Sequence, residues 1–348
     1  MNTEVMKIGS VSEDIEKIRR AADVIKKGGL VVFPTETVYG LGADATNAEA
    51  VKSIFTAKGR PSDNPLIIHI ADPRDAEKYT VTNELYYKLA ERFMPGPLTV
   101  ILESKSCIPS VTRASLPTVA VRCPENAIAR SLITEAGVPI AAPSANLSGT
   151  PSPTSAAHVI DDMTGRVNVI IDGGDCDFGL ESTIVKIEND GSLTLLRPGK
   201  ITVDDLCAVA EKVSIADAVL DKIAKDAPVL SPGMKYRHYA PSAPLELIDG
   251  DPKSAADYIL KNNLSRIAII SYDEDVAFFR EKVQHAAIYS FGSRFDETEQ
   301  AHLLFSLLRL ADKENYEKIY APLPGKSGVG LALFNRMIRA AAYTIVKV

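Results

Sequence analysis

Gly28-Gly29-Leu30-Val31-Val32-Phe33-Pro34-Thr35-Glu36-Thr37-Val38-Tyr39-Gly40-Leu41-Gly42 is the stretch from which the fold can be read. Upstream, Asp14 to Lys27 carries Ile15, Ile18, Ala22 and Ile25 at helical spacing, and the glycine pair supplies its C-terminal stop. Leu30–Phe33 is a short apolar run, the pattern of a buried strand, and Pro34 ends it. Pro34 to Gly42 then reads as a strand-exit loop with three hydroxyls, one carboxylate and two glycines. Such a loop either only connects elements or lines a ligand site, its glycines letting backbone approach a substrate.

The same alternation runs outward. Asn47 opens a helix through Val51, Ile54 and Phe55 that Gly59 closes, so Lys58 and Arg60 stand at a helix exit. Leu66–Ile70, Leu98–Leu102 and Val119–Arg122 read as strands, and Glu84–Phe93 and Asn126–Glu135 as helices. Ile140–Ala142 leads into Ser144-Ala145-Asn146, and Val167–Ile171, Thr183–Ile187 and Leu193–Leu196 are further strands. The pattern breaks near Glu211. Past Ser231–Pro241, strands at Leu245–Ile248, Ile267–Ser271, Ala287–Tyr289 and Ile319–Pro322 alternate with helices, which argues for a small Rossmann-like parallel sheet. The expected organisation is an α+β first domain over 1–210, a linker over 211–243 and an α/β domain over 244–348.

Composition excludes several classes. A net charge of −6 lacks the basic excess that a protein gripping a long nucleic acid carries, so its cations matter locally. Cys107, Cys123, Cys176 and Cys207 form no CxxC pair, which argues against a zinc site or a disulfide framework. Met1–Ser12 has no apolar signal core, and no apolar run approaches the ~20 residues of a membrane span. The expectation is a soluble cytoplasmic protein.

Lys58-Gly59-Arg60 and Ser144-Ala145-Asn146 carry the chemistry. Two cations around a glycine, together with a hydroxyl and an amide one residue apart, offer charge and directed hydrogen bonds to a polyanion. The bland reading of Lys58 and Arg60 is a solvated helix end, where cations also complement the dipole. Pro61-Ser62-Asp63-Asn64-Pro65 weakens it, because a rigid polar turn would hold them against the next strand, with Asn64 available to donate to a phosphate. Arg122 ends an apolar strand and needs solvent, a small carboxylate or an internal salt bridge; Arg197 before Pro198-Gly199 has the same readings. His69 lies in a strand, where a lone histidine is more often a satisfied core residue. Gly325-Lys326-Ser327 is no P-loop, because the earlier glycine it requires is Tyr320. Asp172–Asp177 lacks EF-hand spacing.

Taken together, Pro34–Gly42, Lys58-x-Arg60, Arg92–Thr99, Val119–Pro124, Ser144-x-Asn146, Gly179–Val185, Leu196–Gly199 and Ser231–Pro241 resemble the YrdC-like threonylcarbamoyl-adenylate synthase family in its long form. The resemblance implies a twisted-sheet first domain with a positively lined cavity and a Rossmann-like C-terminal domain. It implies a nucleotidyltransferase joining L-threonine, bicarbonate or CO2 and ATP into threonylcarbamoyl-AMP and pyrophosphate, for tRNA modification. It assigns Lys58, Arg60, Ser144 and Asn146 to catalysis, and Arg60, Asn64, Thr118, Ser144, Ser152, Arg197, His238 and Tyr239 to ATP. Thr37, His69, Arg122, Ala142 and Ser182 go to L-threonine. Mg2+ is expected on the ATP phosphates, with no protein metal site. Lys235, Arg237, His238 and Tyr239 are expected to fold over the nucleotide as a lid. A downstream tRNA threonylcarbamoyl-transfer enzyme is an implied partner, and tRNA itself at most a weak one. The competing readings are an RNA- or tRNA-binding module without catalysis and carbamoyl transfer from carbamoyl phosphate. The second is disfavoured because the hydrogenase-maturation proteins that perform it carry zinc-finger cysteines absent here.

Overall fold

The computed structural model describes residues 1–221 and 239–348, which fall into two compact units. The first comprises residues 1–148, 152–177 and 181–221; the second comprises 239–348 with the short stretches 149–151 and 178–180. Lys235, Arg237 and His238 lie outside the described residues, and so does the lid expectation that rests on them.

The first unit contains strands β1 (Glu4–Lys7), β2 (Val31–Phe33), β3 (Gly40–Asp44), β4 (Ile67–His69), β5 (Thr80–Val81) and β6 (Leu98–Ser104). It continues with β7 (Thr118–Arg122), β8 (Ile140–Ala141), β9 (Val169–Asp172), β10 (Thr183–Ile187), β11 (Leu193–Arg197) and β12 (Val213–Ile215). Its helices are α1 (Ile15–Lys26), α2 (Ala48–Lys58), α3 (Ala76–Tyr79), α4 (Glu84–Phe93), α5 (Ala127–Ala136), α6 (Ala156–Met163) and α7 (Val203–Cys207). The strands form one mixed sheet ordered β1-β9-β2-β3-β8-β4-β7-β6-β10-β11-β12, with β5 on β6. α1 buries Ile18, Ala21, Ala22 and Ile25 against Ala129, Leu132 and Ile133 of α5 and Val31, Phe33, Ile140 and Val169 of the sheet. Burying one such isoleucine contributes roughly 1.5–3 kcal/mol.

Two local signals set the helix that leads into the site. Asn47 caps α2 by accepting from Glu49 N and Ala50 N, and Gly59 closes it with φ +60°. The sequence reading of Pro34–Gly42 as a loop needs correction: residues from Gly40 onward form β3. Its glycines serve packing rather than loop freedom. A Cβ on Gly42 would stand 2.7 Å from Ile140 Cγ2 and 2.8 Å from Phe33 Cε1. The break near Glu211 also lies inside the first unit, because β12 pairs with β11 through Leu193↔Val213.

The second unit contains β13 (Leu245–Asp249), β14 (Ile267–Ser271), β15 (Ala287–Ser290), β16 (Lys318–Pro322) and β17 (Ile345–Lys347). Between them run α8 (Pro252–Lys261), α9 (Asp273–Lys282), α10 (Glu297–Lys313) and α11 (Gly330–Ala340). All strand pairs are parallel, in the order β15-β14-β16-β13-β17, so this is the expected Rossmann-like sheet. Tyr239 belongs to this unit; its buried ring stacks on Phe305, with the Arg336 guanidinium 5.8 Å away. Among the described residues no helix is long and apolar enough to cross a membrane.

Candidate active site

Lys58 joins two motifs that are far apart in sequence. It is the last residue of α2 and is 3% exposed. Its ammonium turns away from solvent into the Ser144–Asn146 turn and donates to Ser144 O, Asn146 O (2.6 Å) and Asn146 Oδ1 (3.3 Å). Ser144 Oγ donates to the same Asn146 Oδ1 at 2.5 Å, and Ser148 N donates to Lys58 O at 3.0 Å. The turn is also tied to the Pro34–Gly42 stretch, through Ala145 N to Tyr39 O (2.8 Å) and Leu41 N to Pro143 O (2.9 Å). Three stretches read separately in the sequence thus meet at one place, and the bland reading of Lys58 as a solvated helix end does not hold.

Beyond Gly59, Arg60 Nη2 lies 3.4 Å from Asn64 O and 3.5 Å from Pro65 O, contacts that fold its guanidinium over the following turn. Asn64 is fully buried, yet among the described residues neither atom of its amide has a hydrogen-bond partner. Native interiors seldom tolerate this, since an unsatisfied buried polar group costs about 1–3 kcal/mol. A ligand with a donor and an acceptor would satisfy it.

Strand register places the other polar residues side by side. Residues directly opposed across a ladder share a face of the sheet. His69 on β4 opposes Arg122 on β7, Arg122 opposes Thr99 on β6, Thr99 opposes Ile184 on β10, and Ile184 opposes Arg197 on β11. One face therefore carries polar residues from four strands, β4, β7, β6 and β11, with the apolar Ile184 of β10 standing between Thr99 and Arg197. Ile184 packs with Ile67, Ile101, Ala120 and Leu196 in an apolar cluster beside these polar groups. Thr118 is on the face of Arg122 but at the other end of β7, roughly 13 Å along the strand at ~3.3 Å per residue.

The polar groups continue into the loops. Arg197 donates from Nε to Ser182 O and from Nη2 to Ser182 Oγ, both at 3.0 Å, and Ser182 Oγ lies 2.8 Å from Thr99 Oγ1. Ser152 is buried and donates to Glu181 Oε1 at 2.6 Å. Thr37 is buried in a turn organised by Thr35, whose hydroxyl lies 2.9 Å from Thr37 Oγ1 and donates to Val38 O at 2.6 Å. Ala142 N donates to Ile67 O at 3.0 Å, which ties its segment to β4.

Of the three readings open for Arg122, the structure shows an internal partner. Arg122 Nη2 stands 2.7 Å from Glu36 Oε1, with both residues about 95% buried. The alignment is poor: among the described residues neither Glu36 oxygen nor Arg122 Nη2 makes a hydrogen bond, and only Arg122 Nε reaches a backbone acceptor, Gly96 O at 3.4 Å. Sequence reasoning names neither Glu36 nor Thr99 as a neighbour of Arg122. The one signal it had was the carboxylate in the Pro34–Gly42 stretch.

His69 is held neutral. Burial, and then the Arg122 charge, push its pKa down to about 3. The neutral ring donates Nδ1–H to Ile140 O at 3.3 Å. Because the folded-state value lies below the ordinary one near 6.5, the unfolded chain binds the proton first. His69 therefore contributes stability that is fully present above about pH 6.5 and is lost as pH falls toward about 3. The melting temperature should decline over that interval, and His69→Gln should flatten the decline; thermal melts of both chains at pH 7 and pH 4.5 check it.

Residues 23–199 match the family described as Telomere recombination (Sua5, YciO, YrdC), and residues 201–342 match one described as Threonylcarbamoyl-AMP synthase, C-terminal domain. The chain is 42% identical to a threonylcarbamoyl-AMP synthase of Bacillus subtilis over 97% of its own length and 96% of the relative's. It is 43% identical to the one of Pyrococcus abyssi, covering 97% and 98%. A crystal structure of P. abyssi Sua5 complexed with L-threonine superposes with a TM-score of 0.88 at 40% identity, covering both chains fully.

Proposed function

This chain belongs to the threonylcarbamoyl-AMP synthase family, in its two-domain form, and on that premise we propose that it condenses L-threonine, CO2 or bicarbonate, and ATP into threonylcarbamoyl-AMP and pyrophosphate. The observation that carries the reading is the Lys58 ammonium inside the Ser144–Asn146 turn, which builds one polar site from two motifs. The product would serve tRNA modification in the cytoplasm.

No protein nucleophile is required. The threonine amine, deprotonated to water, attacks CO2 and releases a second proton to give a carbamate, and a carbamate oxygen then displaces pyrophosphate at the α-phosphorus. Catalysis then rests on positioning and charge neutralisation. Lys58 fixes the Ser144–Asn146 turn against the phosphates, and Arg60 supplies a second cation. The orphaned amide of Asn64 would bind ATP, as would Thr118, Ser152 and Arg197. Arg122, beside neutral His69, would receive the threonine carboxylate, with Thr37, Ala142 and Ser182 lining that side.

Mg2+ would enter with ATP and neutralise phosphate charge. The described residues present no cluster of His, Cys, Asp or Glu able to hold it, and the carboxylates nearby, Glu36 and Glu181, face Arg122 and Ser152. The RNA-binding alternative gains no support from a chain of net charge −6. The decisive assay is pyrophosphate release with ATP, bicarbonate and threonine each omitted in turn, and with serine offered for threonine. Full release without threonine would refute the reading.

A further inference from the structure

We propose that Glu36 is the receptor for the α-ammonium group of the amino-acid substrate, so that Glu36 and Arg122 together recognise a zwitterion. The assignment rests on the function proposed above and goes beyond it, because it says what makes the site choose an amino acid over a hydroxy acid.

Glu36 is a buried carboxylate with unsatisfied oxygens: it is 5% exposed, and among the described residues neither oxygen accepts a hydrogen bond. A carboxylate offers about four lone-pair sites, and leaving them empty in the interior is costly. Its ionic partner, Arg122 Nη2, is close at 2.7 Å but misaligned, so that nitrogen is also without an acceptor. The pair neutralises charge without satisfying the hydrogen-bonding capacity of either group.

The neighbouring groups among the described residues have partners of their own or carry no charge. The Thr35 and Thr37 hydroxyls are engaged with each other, and Thr35 also with Val38 O. Burial pushes the Cys176 thiol far up and the Cys123 thiol up to about 12, so both stay neutral near Glu36. His69 is neutral beside Arg122. Arg197 is turned to Ser182.

An amino-acid zwitterion has the complementary pattern. Its ammonium brings donors to the Glu36 oxygens, and its carboxylate gives Arg122 Nη2 the acceptor it lacks. Each of the four charges then has an opposite neighbour, the condition under which buried ions are tolerated. An acid without the amine would leave Glu36 unsatisfied and set a second carboxylate beside it. Once the ammonium has given one proton to water, its nitrogen is already held in place to attack CO2, and the second proton, lost as the carbamate forms, also passes to water.

The experiment is calorimetric titration of the full chain, with a non-hydrolysable ATP analogue present, using L-threonine and (R)-3-hydroxybutanoate, which is threonine without its amine. The wild-type chain should prefer threonine by at least about 100-fold, since sites built around a polar substrate group reject analogues lacking it. In Glu36→Gln threonine affinity should fall at least about 30-fold while hydroxybutanoate binds as before or better, because the carboxylate repulsion is gone. Equal weakening of both ligands with analogue binding retained would mean that Glu36 only supports Arg122, and would overturn the assignment. So would a wild-type preference under about threefold, a comparison that stands even if the variant fails to fold. A wild-type chain with no threonine-dependent pyrophosphate release removes the function and this assignment together. A wild-type chain with that release and a variant of unchanged preference removes the assignment alone.

Discussion

Lys58→Ala should lower threonine-dependent pyrophosphate release by about 10³-fold or more, since one preorganised donor to developing charge is itself worth about 10²–10³. Here the loss is compounded, because the ammonium is also the centre around which the Ser144–Asn146 turn is built. Without it, Ser144 O, Asn146 O and Asn146 Oδ1 lose a shared donor in a largely buried position. The fold should survive, because Lys58 is the last residue of α2 and the helix retains its Asn47 and Gly59 caps. An unsatisfied buried acceptor costs about 1–3 kcal/mol, so the melting temperature should drop by several degrees with the far-ultraviolet circular dichroism unchanged. Lys58→Arg should not rescue activity: a planar guanidinium fork cannot replace a compact ammonium among converging oxygens. Activity within tenfold of wild type in a folded Lys58→Ala chain would remove Lys58 from the centre of the mechanism.

What could be read in advance followed the range of each signal. α2 was legible because its start and stop are local: Asn47 caps its own helix and Gly59 needs only its own backbone freedom. The Rossmann-like unit was legible because buried parallel strands are short apolar runs separated by amphipathic helices. β3 was not, because Gly40 and Gly42 have turn-like composition. Their real cause is the closeness of Phe33 and Ile140, which appears only once the sheet is assembled. The edge strands β1, β12 and β17 are three or four residues long and largely exposed, so no burial pattern marks them.

The site divides in the same way. Its residue types were visible as motifs, but their pairings were not. That Lys58 grips the backbone near Asn146, 88 positions away, depends on how α2 packs beside β3. The partnership of Arg122 with Glu36 is equally non-local, since it requires the β2–β3 connection to reach the strand carrying Arg122. A motif states which chemistry is present, while register and loop closure decide which groups meet.

Arg122→Ala should raise the threonine requirement at least about 100-fold while changing the ATP requirement less than about threefold, as expected when one partner of a buried pair, worth roughly 2–5 kcal/mol, is truncated. Part of that penalty is not recognition. Removing Arg122 leaves the Glu36 carboxylate buried without its counter-charge, which destabilises a fold by about 3–5 kcal/mol and should lower the melting temperature by roughly 5–15 °C. The two effects separate in the double variant Glu36→Gln, Arg122→Ala. Neutralising Glu36 removes the stranded charge, so the melting temperature should recover most of its loss, whereas threonine affinity should not recover, since neither end of the zwitterion then has a partner. Arg122→Lys should keep much of the stability by preserving the charge but regain little of the affinity, because a point charge does not reproduce the planar fork of a guanidinium. Should the double variant bind threonine as wild type does, the pair would be a purely structural bridge, and the amino acid would have to be held elsewhere on the sheet.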